Sequence, residues 1–145
     1  MISRSPINAL QKAIFTRLSG DATLAGLLGA GDRIVDQPKE GQPTPYVRIG
    51  ESVSTPDNDH GSFGREVTET LHIWTRKRGN ATGQTIADRI TALLDHQTAA
   101  MSALLAADGH KVVSIRAEFD QALTDPDPEI RHHVLRFRVK TAQLS

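Results

Sequence analysis

The chain has no cysteine. A disulfide scaffold, a thiolate zinc site and a cysteine nucleophile are therefore excluded, and the core must stand on packing alone. Net charge is also missing: Lys plus Arg and Asp plus Glu each come to 17, so no global positive field exists to hold a polyanion by counterion release. Free nucleic acid is not the expected primary ligand. No apolar run approaches a membrane span, and Met1 to Leu10 shows no basic start followed by an apolar stretch, so neither a membrane nor a secretory signal is expected. The nucleophile elbow G-x-S-x-G, the phosphate loop G-x-x-x-x-G-K and the dinucleotide glycine fingerprint are all absent.

What is present suits one folded domain. The 145 residues are 38% hydrophobic and 23% charged, enough to bury one core and too few for two comfortable ones. Ser5 and Pro6 read as a helix start, followed by Ile7, Leu10, Ile14 and Leu18 at helical spacing up to Gly20. Asp21 caps a second short helix through Leu24, Leu27 and Leu28, which stops at Gly29 and Gly31. Arg33 to Asp36 reads as a short edge strand, and the proline-rich Gln37 to Pro45 as an irregular connection.

Tyr46 to Val53 then extends, with Val47, Ile49 and Val53 expected on one face. Ser54 to Gly64 is polar and lacks an apolar stripe, so residues 54–64 are expected to form a flexible loop. From Arg65 the pattern alternates, with Val67, Leu71 and Ile73 on one face and Thr68, Thr70 and His72 on the other, ending at Trp74. A basic turn, Arg76, Lys77 and Arg78, precedes an amphipathic helix from about Gly83 to Asp95 through Ile86, Ile90, Leu93 and Leu94. Residues 98–107 suit either a helix or a short strand. Two closing strands follow: Val113, Ile115, Ala117 and Phe119 alternate with Ser114, Arg116 and Glu118, and Leu135, Phe137 and Val139 alternate with Arg136, Arg138 and Lys140. Between them Asp125, Pro126, Asp127 and Pro128 mark an exposed acidic hairpin tip. Helix, strands, helix, strands predicts an α+β fold, a mostly antiparallel sheet with two main helices packed on one face, spanning 1–145 as a single domain.

No catalytic, cofactor-binding or metal site is expected. The six histidines show no ligand spacing, and His132 and His133, adjacent on a strand, point to opposite faces. Three polar groups remain as candidate interfaces: Asp57, Asp59 and His60 in the loop; the basic turn Arg76, Lys77 and Arg78; and the stripe Arg136, Arg138 and Lys140, whose side chains share one strand face. The stripe suits acidic loops of a neighbouring subunit, and the same chain supplies Asp120, Asp125, Asp127 and Glu129 as an acidic counterpart.

Taken in order, the segments ALQKAIFTRLSGDATLAGLLGAGDRI, PTPYVRIG, VTETLHIWTRKRGNATGQTIADRITALLD and IRHHVLRFRV resemble the tail terminator, or tail-completion, family of long-tailed phages and gene-transfer particles. The loop at 54–64 and the Ala-rich stretch before Gly109 carry none of that resemblance. It implies an α+β fold and a structural, non-enzymatic role: a six-membered ring of copies on the last ring of the tail tube that arrests tail growth and offers the head-joining surface. Implied partners are the chain itself, the tail tube protein and head–tail connector or neck proteins, with DNA passing through the ring and no nucleic-acid sequence read. The implied location is the host cytoplasm during assembly and then the virion or phage-like particle. Three other readings stay open from residues alone: a different neck or adaptor protein, a small histidine-dependent hydrolase, and a nucleic-acid module built on the basic turn and stripe.

Overall fold

A computed structural model describes residues 2–76 and 80–144. Lys77 and Arg78 of the expected basic turn lie outside the described residues. Helices α1 (Ile7–Ser19) and α2 (Ala22–Leu28) open the chain, followed by strands β1 (Ile34–Val35), β2 (Tyr46–Pro56) and β3 (Gly64–Thr75). Helices α3 (Ala81–Leu94) and α4 (Thr98–Leu105) come next, then β4 (His110–Thr124) and β5 (Arg131–Gln143). The strands form one five-stranded sheet in the order β1-β2-β3-β5-β4, antiparallel at every pairing except β1 with β2. This is the expected α+β fold. The stretch 98–107, which sequence left open, is α4 followed by a 3₁₀ turn.

All helices pack on one face of the sheet. Leu10, Ile14 and Leu18 of α1, Ile86, Ile90 and Leu94 of α3, and Met101 and Leu105 of α4 meet Val47, Val67, Leu71, Ile73, Ile115, Leu135, Phe137 and Val139 in one core. Each large side chain so buried contributes about 1.5–3 kcal/mol of transfer free energy. The opposite sheet face carries no helix among the described residues.

Three β-bulges correct the strict alternation expected from sequence. In β2 the register against β3 shifts between Ile49 and Ser52, so Val47 and Ile49 face the core while Val53 is 59% exposed. An extra residue turns every later side chain to the other face, which sequence periodicity alone does not reveal. Gly50 sits at the shift, where a Cβ would approach the His72 ring to 2.6 Å. In β4, shifts between Val112 and Ser114 and between Ala117 and Phe119 put Val113 outside and leave Ile115 alone of the expected row fully buried. Element boundaries move as well, α3 among them, which starts at Ala81 rather than about Gly83. Strands β2 and β3 run on through Ser54–Pro56 and Gly64, which leaves 57–63 as the loop. Helix α1 starts one residue later than expected: Pro6 is its N-cap and its carbonyl accepts from the Leu10 amide at 2.8 Å, with Ser5 Oγ 3.4 Å from the Ile7 amide.

Asp21 does what its position predicted and more. Its Oδ2 accepts from the Leu24 amide at 2.8 Å and from Arg89 Nε at 2.8 Å, while Oδ1 accepts from Arg89 Nη2 at 2.6 Å. One carboxylate thus caps α2 and ties it to α3. The Arg89 hydrogen bonds hold the Asp21 carboxyl below its ordinary value, so its stabilisation is present above pH 3.8, the ordinary value, and fades as pH falls through the lower folded one. Asp21→Ala should cost about 1–2 kcal/mol in urea unfolding at neutral pH, the usual loss for a cap, with the deficit shrinking below that pH.

The bulge in β2 also explains a polar group in the core. Glu69 lies on the buried face of β3 between Val67 and Leu71 and is 0% exposed. Because the bulge turns Ser52 inward, its hydroxyl meets Glu69 Oε2, and Gln11 Nε2 of α1 donates to the same hydroxyl at 2.8 Å. Glu69 Oε1 has no partner among the described residues. Burial pushes this carboxyl up to about 8 from an ordinary 4.5, so it is neutral at pH 7, with its Oε2 accepting from the Ser52 hydroxyl. The folded chain keeps a proton that the unfolded chain loses, and stability therefore falls as pH rises from 4.5 to about 8. Glu69→Gln should remove that slope: its melting temperature relative to the parent should climb between pH 5 and 8. A constant difference would mean that the carboxyl is ionised in the fold.

Candidate assembly surfaces

The open sheet face carries most of the polar chemistry. Its rows are Glu66, Thr68, Thr70, His72 and Trp74 on β3 and His132, Val134, Arg136, Arg138 and Lys140 on β5, with the β3–β5 register running from Gly64 opposite Ala142 to Thr75 opposite Arg131. The expected stripe is therefore real as a row. It is not a free positive patch. Arg136 Nε donates to Glu118 Oε2 at 2.8 Å, Arg138 Nε to Glu118 Oε1 at 3.0 Å, and Arg138 Nη1 to Glu66 Oε1 at 2.7 Å. Arg136 also lies 4.1 Å above the Phe119 ring, a cation–π contact made possible because the second β4 bulge turns Phe119 outward. The hydrogen bonds from Arg138 and Arg136 hold Glu118 below the ordinary carboxylate range.

Of the stripe, Lys140 alone makes no ion pair among the described residues. It lines a shallow groove of about 230 Å³ with Asp57, Asn58, Asp59 and Ser62. Two of the three candidate groups therefore meet: the end of the stripe and the β2–β3 loop. The loop is held by its own side chains. Asp59 Oδ1 accepts from the Gly61 amide at 3.0 Å and the Ser62 hydroxyl at 2.7 Å, and Asn58 Oδ1 accepts from the Gly64 amide at 3.0 Å. The Ser62 and Gly61 bonds lower the Asp59 carboxyl. His60 is exposed at the tip. Arg76, the described member of the basic turn, lies far from both, 3.8 Å from Asp127 on the β4–β5 tip.

His132 and His133 divide as the strand geometry predicted. His133 is buried on the core face, where Gly83 of α3 packs so closely that a Cβ would come within 2.3 Å of Nδ1. His132 is on the open face, stacked on Trp74 at 3.8 Å between centroids, and its Nε2 is 2.7 Å from Nδ1 of His72. His72 Nε2 in turn lies 2.8 Å from Glu51 Oε2. Burial, with His72 and His133 nearby, pushes His132 down to about 4, so it is neutral at pH 7. The array is an aromatic and hydrogen-bonded patch. Among the described residues no cluster of three or more His, Cys, Asp or Glu could hold a metal ion.

Residues 12–142 match the family of the Tail completion protein gp17. The chain belongs to this family. A curated relative, the tail completion protein gp17 of Bacillus phage SPP1, is 28% identical over 130 residues, covering 90% of each chain. A solved chain from the virion of a native gene transfer agent particle superposes with a TM-score of 0.78 at 22% identity, covering 97% of this chain and 99% of that one. Membership makes this chain a structural protein of a phage-type tail, not an enzyme. The histidine-dependent hydrolase considered from sequence is thereby set aside.

Sequence reasoning had missed Glu66 and Glu118 as partners of the stripe. The signal was available in part, because Glu118 stands in the polar row of β4. Pairing it with Arg136 and Arg138 required the bulged register. Reversing both arginines would gather four carboxylates with Glu66 and Glu118 and disturb the monomer itself, so Lys140 is the cleaner probe. Lys140→Gln, which removes the charge without setting a carboxylate opposite Glu66 in the register, should leave unfolding within about 0.5 kcal/mol of the parent and reduce incorporation into particles, measured by complementation. Unchanged incorporation would remove Lys140 from the assembly surface.

Proposed function

We propose that copies of this chain close into a ring on the last ring of the tail tube, end its growth and present the surface that joins the head. The observation that carries this reading is the opposition of the two long hairpins. Pro56 of β2 pairs with Arg65, which stands level with Thr141 of β5, whereas Thr124 of β4 pairs with Arg131, level with Thr75. The β2–β3 loop therefore projects from one end of the sheet and the β4–β5 tip from the other.

An end-stop needs two unlike docking surfaces: one complementary to the tube, and one that refuses a further tube subunit while accepting a head-side partner. The two ends differ in kind. One carries Asp57, Asp59, His60 and Lys140; the other carries Asp125, Asp127 and Glu129 with Arg76. Family membership and the likeness to a gene-transfer-particle chain support the same reading. In this account the tail tube protein meets one end, neck or connector proteins the other, and DNA crosses the ring without sequence readout. The chain assembles in the host cytoplasm and stays in the finished virion or phage-like particle. The expected ring size, six, comes from the family resemblance.

Electron microscopy of particles made without the gene product, by an early stop codon with complementation as control, tests the reading. Overlong or unjoined tails beside filled heads are expected. Normal infectious particles would overturn it, and unjoined tails of normal length would point to an adaptor at the neck instead.

A further inference from the structure

The two edges of the sheet are unequally protected. Strand β4 lies at one edge with no strand beyond it among the described residues. Over its first half three outward backbone groups are taken: the Val112 amide donates to Ser102 Oγ at 3.1 Å, the Ile115 carbonyl accepts from the His96 amide at 3.0 Å, and the Ala117 amide donates to Asp95 Oδ1 at 2.7 Å. From Phe119 to Thr124 no such partner occurs among the described residues. A bare edge of that length is a template for another strand.

At the opposite edge stands β1, Ile34–Val35, two residues long and with no strand beyond it among the described residues. The registers place the two sites level with one another. Ile34 pairs with Val47, which pairs with Ile73, then His133, then Ala122. Val35 leads by the same route through Arg48, His72 and Val134 to Gln121. Directions agree too: β1 is parallel to β2, and three antiparallel pairings later β4 runs opposite to it. A second copy set beside the first would thus bring its β1 antiparallel to the uncovered half of β4. The facing also matches, since Ile34 and Ala122 lie on the helix side and Val35 and Gln121 on the open side.

We propose that the uncovered half of β4 pairs with β1 of a neighbouring copy, continuing the sheet from subunit to subunit. The inference rests on the ring reading and supplies its contact. Strict continuation would set Asp120 against Asp36, two like charges directly opposed. A shift of two residues preserves the facing and avoids that clash. It sets Leu123, 37% exposed, opposite Val35, and Asp120 beside Pro38 and Lys39.

Next to β1 a groove of about 370 Å³ is lined by Lys12, Phe15, Ile34 and Ile49, with Phe15 46% exposed. Ala122, on the helix side of the incoming strand, is small enough to lie over it. Residues 119–130 hold Asp120, Asp125, Asp127 and Glu129 and no Lys or Arg; the receiving edge supplies Lys12, 3.5 Å from Asp108, and Lys39, alongside Asp36 and Glu40. Edge β4 and edge β1 are different surfaces, so the contact is heterologous and closes into a ring when the rotation per subunit divides a full turn.

Since the chain has no cysteine, an engineered pair reports this contact without background. Directly opposed residues in an antiparallel pair have Cα atoms about 4.5–5.5 Å apart, within the range a disulfide spans. Val35→Cys and Leu123→Cys together, expressed as the full chain in producing cells that lack the parental copy, should give purified particles whose non-reducing gel shows a ladder of multimers. Each single variant should stay monomeric. Particles with normal tails but only monomer on the gel overturn the pairing and leave the ring reading standing, because tail length is scored in the same particles. A cross-link from Leu123→Cys alone shows a self-facing contact and also overturns it. Leu123→Lys gives an independent check: the isolated chain should melt as the parent does while particle incorporation falls at least tenfold, and parental incorporation would contradict the proposal.

Discussion

The rest of the molecule hangs on the pairing of β3 with β5. Those strands run opposite one another without a shift from Gly64 and Ala142 to Thr75 and Arg131, and the core face of the ladder, Val67, Leu71, Ile73, Leu135, Phe137 and Val139, is buried under the helices. A one-residue slip would turn this whole set out to water. Register is therefore fixed at the centre. The outer pairings are free to carry bulges, and they carry all three.

Those bulges decide where the polar groups go. One turns Ser52 inward to meet Glu69 and Gln11, placing a neutral carboxyl in the core. Another turns Phe119 outward beneath Arg136 and lets Glu118 reach two arginines. The sheet face that faces away from the helices thus becomes a paired network rather than a basic patch, and exposed pairs of this kind contribute only about 0–1 kcal/mol each. Their value lies in shape and charge pattern at a surface, where they can discriminate among partners. Lys140 with the β2–β3 loop stands at one end, and the acidic β4–β5 tip, with Asp127 3.8 Å from Arg76, stands at the other.

The architecture was legible in the sequence where periodicity was long and unbroken. The stripes of α1 and α3, the cap at Asp21, the alternation of β3 and β5 and the opposite facing of His132 and His133 all follow from spacing alone. Val53, Val113 and Phe119 were misplaced because a bulge leaves no mark in an alternating pattern when apolar residues continue on both sides of it. The Ala-rich segment was undecidable for a different reason: Ala, Met and Leu suit α4, but Gln97 offers no side-chain cap. As for the candidate surfaces, the stripe and loop were legible as residues. Their meeting at Lys140 was not, since it depends on β3, which carries one end of the loop, pairing with β5 so that Gly64 stands opposite Ala142.

The most direct measurement is a cryo-electron microscopic reconstruction of the junction between tail tube and head in purified particles, resolved well enough to trace this sheet. The account predicts a closed ring of this chain between the last tube ring and the head-side proteins, with the two hairpin tips facing opposite neighbours. Finding the chain elsewhere in the particle, or at the junction with both tips on the same side, would contradict it.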